Sequence, residues 1–158
     1  MNKNALILNE DLLKYQTLRL QELITEMLEC CEDRKLYETT RFSLPHAELK
    51  CLMLFDGERY LTVKGIAKKL EVAKSRVTKI VDWLVEKRLV ERMDDPKDAR
   101  IKLISLTPEG RSRSDEIASF QREIHRKILL QMDIDERKYA LSYLELLRSA
   151  MEAVKEQF

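Results

Sequence analysis

Glycine and proline are nearly missing from this chain, at three of each in 158 residues. So few breakers imply long, uninterrupted helices. The same scarcity leaves no glycine-rich loop to cradle a phosphate and no nucleophile elbow. Only three cysteines occur, Cys30 and Cys31 side by side and Cys51 further on. Adjacent residues on a helix point about 100° apart, so these two would bridge only if the helix broke. The only histidines, His46 and His125, lack a close-spaced ligand partner, even with Glu48, Cys30 and Cys51 in the neighbourhood. No metal and no cofactor are therefore expected. No His/Cys/Asp order suits nucleophilic catalysis, which argues against an enzyme. Nothing reads as a signal sequence, so the expected setting is cytoplasmic and reducing, without a membrane partner. Overall charge is also nearly absent, at +1.

What is present is uneven. Between Arg59 and Lys102 stand 13 Lys/Arg against 7 Asp/Glu, so a basic centre sits between acidic flanks. Within that centre, Leu89–Met93 and Ile101–Leu106 are two short apolar arms around a loop rich in Asp, Pro and Lys. That is the pattern of a β-hairpin with a charged tip. Thr107-Pro108 follows as a helix N-cap with proline at the first helical position. Upstream, Thr62 caps a helix whose Val63, Ile66, Ala67 and Leu70 share one face. Glu71-Val72-Ala73 has room only for a tight turn. A second amphipathic helix, Lys74 to Arg88, carries Val77, Ile80, Val81, Leu84 and Val85 at helical spacing. Its N-terminal face shows Lys74, Ser75, Arg76, Thr78 and Lys79, side-chain types that reach base edges and phosphates. Two such helices joined by a tight turn form a helix-turn-helix, and the hairpin behind them would be its wing.

The run Val72–Leu84, then Lys87-Arg88-Leu89-Val90-Glu91-Arg92, Asp94–Arg100 and Leu106-Thr107-Pro108-Glu109-Gly110, resembles the MarR family of transcription regulators in order and spacing. The resemblance implies a mostly α fold with a small β-hairpin wing. A winged helix-turn-helix lobe would occupy about residues 44–107 of a single domain over 1–158. Dimerisation helices would flank it at about 11–31 and 108–158. It also implies double-stranded DNA as partner, and a dimeric repressor released from an inverted-repeat operator by a small-molecule effector. The residues expected on DNA are Lys64, Lys74, Ser75, Arg76, Thr78, Lys79, Lys97, Asp98 and Arg100. Arg100 would reach toward the minor groove, and the family implies that Asp98 orients it. Lys64, Lys97 and Lys102 suit phosphate better than bases. Three departures stand out. Ala73 replaces a frequent capping Ser, Ala99 a frequent Arg, and Gly65 a charged or polar residue at a cost of about 1 kcal/mol in helix propensity.

The flanks carry their own pattern. Leu13, Thr17, Leu20, Ile24, Met27 and Cys31 recur in steps of four and three, as do Ala140, Leu144, Leu147, Met151, Val154 and Phe158. Ile117, Phe120, Ile124 and Ile128 mark another helix between them, with a break near Met132-Asp133. Such seams need partner helices, and a small core cannot satisfy them all within one chain, which favours a homodimer. Two alternatives stay open. One is a winged-helix module that contacts protein instead of DNA, and the other a redox-sensing regulator acting through Cys30, Cys31 and Cys51.

Overall fold

The computed structural model describes residues 3–157. Six helices and three strands follow in the order α1 (Lys3–Phe42), α2 (His46–Met53), β1 (Leu61–Thr62), α3 (Val63–Leu70), α4 (Lys74–Glu86), β2 (Val90–Asp94), β3 (Lys102–Leu106), α5 (Pro108–Leu130) and α6 (Ile134–Lys155). The fold is mostly helical with one small antiparallel sheet, ordered β1-β3-β2.

The first helix is longer than its apolar seam. Instead of closing near Cys31 it continues to Phe42, because Glu32–Arg41 contains neither glycine nor proline. It stops where Ser43 turns left-handed (φ 52°) just ahead of Pro45, and a proline cannot continue a helix. The hairpin arms pair from Val90↔Leu106 to Asp94↔Lys102. A third strand, absent from the sequence reading, joins them. Leu61 and Thr62 pair with Ile104 and Leu103 immediately before Thr62 caps α3. Two residues carry too little alternation to signal a strand.

The buried core lies wholly around this sheet. Leu49, Cys51, Leu52 and Phe55 of α2 and its end meet Ile66, Val77, Ile80, Val81, Leu84, Ile104 and Ile117. Val85, expected among them, is 36% exposed. The start of α5 is locked to the end of α4. Arg88 adopts φ 58°, and Thr107 donates from its hydroxyl to the Arg88 carbonyl at 2.7 Å and from its N–H to the Leu89 carbonyl at 3.1 Å. Gly110 makes this approach possible, since a Cβ there would stand 1.8 Å from the Leu89 carbonyl oxygen. At the other end of α5, Asp133 and Glu136 form a capping box for α6. Arg137 Nε donates to the carbonyls of Leu129 (2.7 Å) and Met132 (2.9 Å), fixing the α5–α6 turn.

The flanking helices look different. No residue of α6 is buried, and along α1 the first buried side chain from residue 9 onward is Glu38. Leu13, Leu20, Met27, Leu144, Met151 and Val154 of the two seams are between 42% and 63% exposed. Phe158, the last member of the second seam, lies outside the described residues. No helix among the described residues is long and apolar enough to cross a membrane.

Candidate nucleic-acid interface

The helix-turn-helix is built as its residues dictate. Thr62 Oγ1 accepts from Gly65 N–H at 3.0 Å, capping α3. A Cβ on Gly65 would come 3.3 Å from this capping oxygen, a tight contact that a shift of a few tenths of an ångström relieves. Glu71, with φ 56°, closes α3 in the left-handed conformation, and Val72 N–H reaches back to the Ala67 carbonyl at 3.1 Å. Ala73 then starts α4 without any side-chain cap. The first turn of α4 therefore presents unsatisfied N–H groups together with the positive end of the helix dipole.

That end is crowded with cations. A cleft of about 350 Å³ is lined by Thr62, Val63, Lys64, Lys74, Arg100, Ile101 and Lys102, so the starts of α3 and α4 and the base of the wing meet there. Lys64, Lys74 and Arg100, three of the nine residues expected on DNA, share this cleft. Ser75, Arg76, Thr78 and Lys79 are exposed along α4, while Val77, Ile80, Val81 and Leu84 face the core. The Thr78 hydroxyl donates to the Lys74 carbonyl at 3.0 Å, so in this conformation its hydrogen points back along the helix.

The wing tip is pre-organised. Asp95 Oδ1 accepts from Lys97 N–H at 2.7 Å, and Asp98 Oδ1 accepts from Arg100 N–H at 3.0 Å. The same Asp98 carboxylate holds the Arg100 guanidinium in a two-point grip, with Nε and Nη2 each at 3.0 Å. Arg100 is nonetheless open to solvent, its side chain 91% exposed. The hydrogen bond from its guanidinium holds the Asp98 carboxyl below its ordinary value and raises Arg100 in turn. Lys97 is exposed in the loop and does not line the cleft. Lys102 pairs with Asp94 across the hairpin.

Two further ion pairs brace this surface, and none of their four side chains was among the expected site residues. Arg92 of β2 reaches Asp82 Oδ1 on α4 at 2.5 Å. Lys87, at the end of α4, donates to Glu48 Oε2 of α2 at 2.6 Å, and Glu48 is only 2% exposed. Neither pair is visible from spacing, because each joins two different elements across no helix or strand period.

The cysteines lie elsewhere. Cys51 is fully buried, and desolvation followed by the neighbouring Glu48 charge pushes its thiol up to about 12. It is held as an inert thiol. Cys30 is exposed and Cys31 half-buried on α1. Among the described residues, no group of three or more His, Cys, Asp or Glu is placed to hold a metal ion.

A helix-turn-helix followed directly by a charged hairpin defines a winged helix-turn-helix protein. Residues 44–102, the stretch that holds the lobe, match the MarR family. Over a longer span, 137 residues, the chain is 29% identical to the HTH-type transcriptional repressor MdtR of Bacillus subtilis, covering 87% of this chain and 83% of that one. YusO of Bacillus subtilis is 27% identical with a TM-score of 0.71, over 89% of this chain and 97% of its own. The fold also matches Streptococcus pneumoniae FabT, whose structure was determined in complex with DNA, at a TM-score of 0.75 and 20% identity over 87% and 99% of the two chains.

Proposed function

We propose that this chain is a sequence-specific, double-stranded DNA-binding regulator of transcription that works as a two-fold dimer, most simply as a repressor. The observation that carries this reading is the cationic cleft at the uncapped start of α4, flanked by the exposed face of that helix and by Arg100 on the wing. A DNA phosphate seated at the first turn of α4 would supply the acceptor that Ala73 lacks. Arg76, Ser75, Thr78 and Lys79 would then face base edges in the major groove, while Lys64, Lys74 and Lys97 meet the backbone. Arg100, aimed by Asp98, would enter the neighbouring minor groove. MdtR, a repressor, and FabT, bound to DNA, support the same reading by likeness.

The exposed seams support the dimer. Between α1 and α6 runs an open apolar groove of about 390 Å³, lined by Leu20, Leu147, Ala150, Met151, Val154 and Lys155. Covering it with the same surface of a second copy removes that apolar area from water. A two-fold pair would set two copies of α4 about 34 Å apart, one turn of DNA, and call for an inverted-repeat operator. A small molecule that binds better to a dimer with a different spacing would release the operator by shifting populations.

Selection of sites from random duplex DNA tests this directly. The expected result is an inverted repeat whose affinity falls about a thousandfold or more between roughly 50 and 200 mM salt. Arg100→Ala should weaken that binding. No enriched motif and a flat salt response would overturn the reading and turn attention to protein partners of the wing.

A further inference from the structure

Resting on the DNA-binding reading, we propose that the Asp82–Arg92 ion pair is a strut that fixes the register of α4 against the wing, making Arg92 a positioning residue and not a DNA contact. Arg92 stands opposite Ile104 in the hairpin, two residues beyond Val90. Val90 and Ile104 are both buried, so Arg92 shares their face and folds back over α4 instead of pointing away with the wing tip. Its Nη2 lies 2.5 Å from Asp82 Oδ1 and 3.5 Å from the Thr78 carbonyl, spanning one turn of the helix.

The rest of α4 explains why such a strut is needed. Its inner contacts through Val77, Ile80, Val81 and Leu84 are apolar. Burial of that kind is non-directional, so it supplies no hydrogen bond that sets the angle of the helix. At the start of the helix Ala73 supplies no cap. Its far end is held by Lys87 on the buried Glu48. Arg92 is the directional contact on the wing side, and it grips the turn whose outer surface carries Thr78 and Lys79. Hydrogen bonds to base edges fail when donor and acceptor separate by a few tenths of an ångström beyond their range. Losing the strut therefore costs sequence reading before it costs general attraction to DNA.

Charge makes the test sharp. Asp82→Ala removes a negative charge from the DNA-binding lobe, so simple electrostatics predicts tighter binding, whereas the strut predicts weaker binding. With an operator selected by the wild-type protein, affinities for operator and random duplex are measured across salt for Asp82→Ala, Arg92→Ala and the exchanged pair Asp82→Arg/Arg92→Asp. Circular dichroism verifies that each variant is folded at the assay temperature. Each single variant is expected to lose about tenfold in operator affinity with little change on random duplex and an unchanged salt slope. The exchanged pair should recover most of the loss.

Equal or tighter operator binding by Asp82→Ala overturns the strut. So does a salt slope reduced by about one in Arg92→Ala, which would make Arg92 a phosphate contact. A lower melting temperature with wild-type operator affinity of the folded protein would mean the pair serves stability alone. Failure of the wild type to select any site would instead overturn the DNA-binding reading, and the strut with it.

Discussion

The lobe from Leu44 to Leu106 and the long helices around it are built on opposite economies of burial. In the lobe Leu52, Ile66, Val77, Val81, Leu84 and Ile104 are fully buried, α3 is bounded by the Thr62 cap and the left-handed Glu71, and the end of α4 is held by the Lys87–Glu48 ion pair. On α6 nothing is buried, and α1 leaves Leu13, Leu20 and Met27 open to solvent. The capping box at Asp133 and the Arg137 contacts nevertheless fix the α5–α6 turn closely. The difference teaches where burial is complete within one chain: the lobe closes a core with Ile117 of α5, while the seams of α1 and α6 stay exposed.

The largest test of that contrast compares a core leucine with a seam leucine. Leu84→Ala is expected to destabilise the lobe by about 2–5 kcal/mol at any protein concentration. Leu144→Ala with Met151→Ala should instead make the unfolding midpoint depend strongly on concentration. Trp83, the only tryptophan, sits on α4. Its fluorescence follows the lobe, while far-ultraviolet circular dichroism is dominated by the long helices. A concentration-independent loss in the seam variant would break the contrast.

Next in size is Gly110→Ala. The added methyl would meet the Leu89 carbonyl at 1.8 Å, so α5 must shift away from the end of α4 at a cost of about 1–3 kcal/mol. Urea unfolding measures it, and an unchanged midpoint would mean that the two helix ends are not locked. A smaller gain is expected from Ala73→Ser. Ala73 already has extended backbone (φ −64°, ψ 146°), so a serine hydroxyl there should cap α4 and stabilise the lobe by about 1 kcal/mol. A thermal melt of the variant that matches wild type would show that the start of α4 gains nothing from a cap.

The smallest effect concerns His46, at the joint between α1 and the lobe. Desolvation first, then Lys50 and Lys35, lower its proton affinity against the opposing pull of Glu38 and Glu32. Both ring nitrogens are buried without a hydrogen-bond partner. A folded value below the unfolded 6.5 means that the unfolded chain binds the extra proton. Stability contributed by neutral His46 is therefore complete above pH 6.5 and lost as pH falls from there through the folded value. Melts of wild type and His46→Gln between pH 8 and 5 should diverge on the acid side, and parallel curves would remove His46 from the account.

Local chemistry determined much of this protein. The Thr62 and Thr107 caps, the break before α6, the paired hairpin arms and the exposed face of α4 follow from residues within a few positions of one another, where side chain and backbone interact without help from the fold. The winged lobe was legible for that reason. The tertiary structure alone decided the rest. Strand β1 exists because β3 offers it an edge, and the fold chose what the last turns of α1 meet, Phe42 on Phe120 and Glu38 on Gln121 of α5. Arg92 joins Asp82, and Lys87 joins Glu48, across 10 and 39 positions. Ion pairs between separate elements leave no period in a sequence, since their partners are chosen by how the chain folds back and not by how it is spaced.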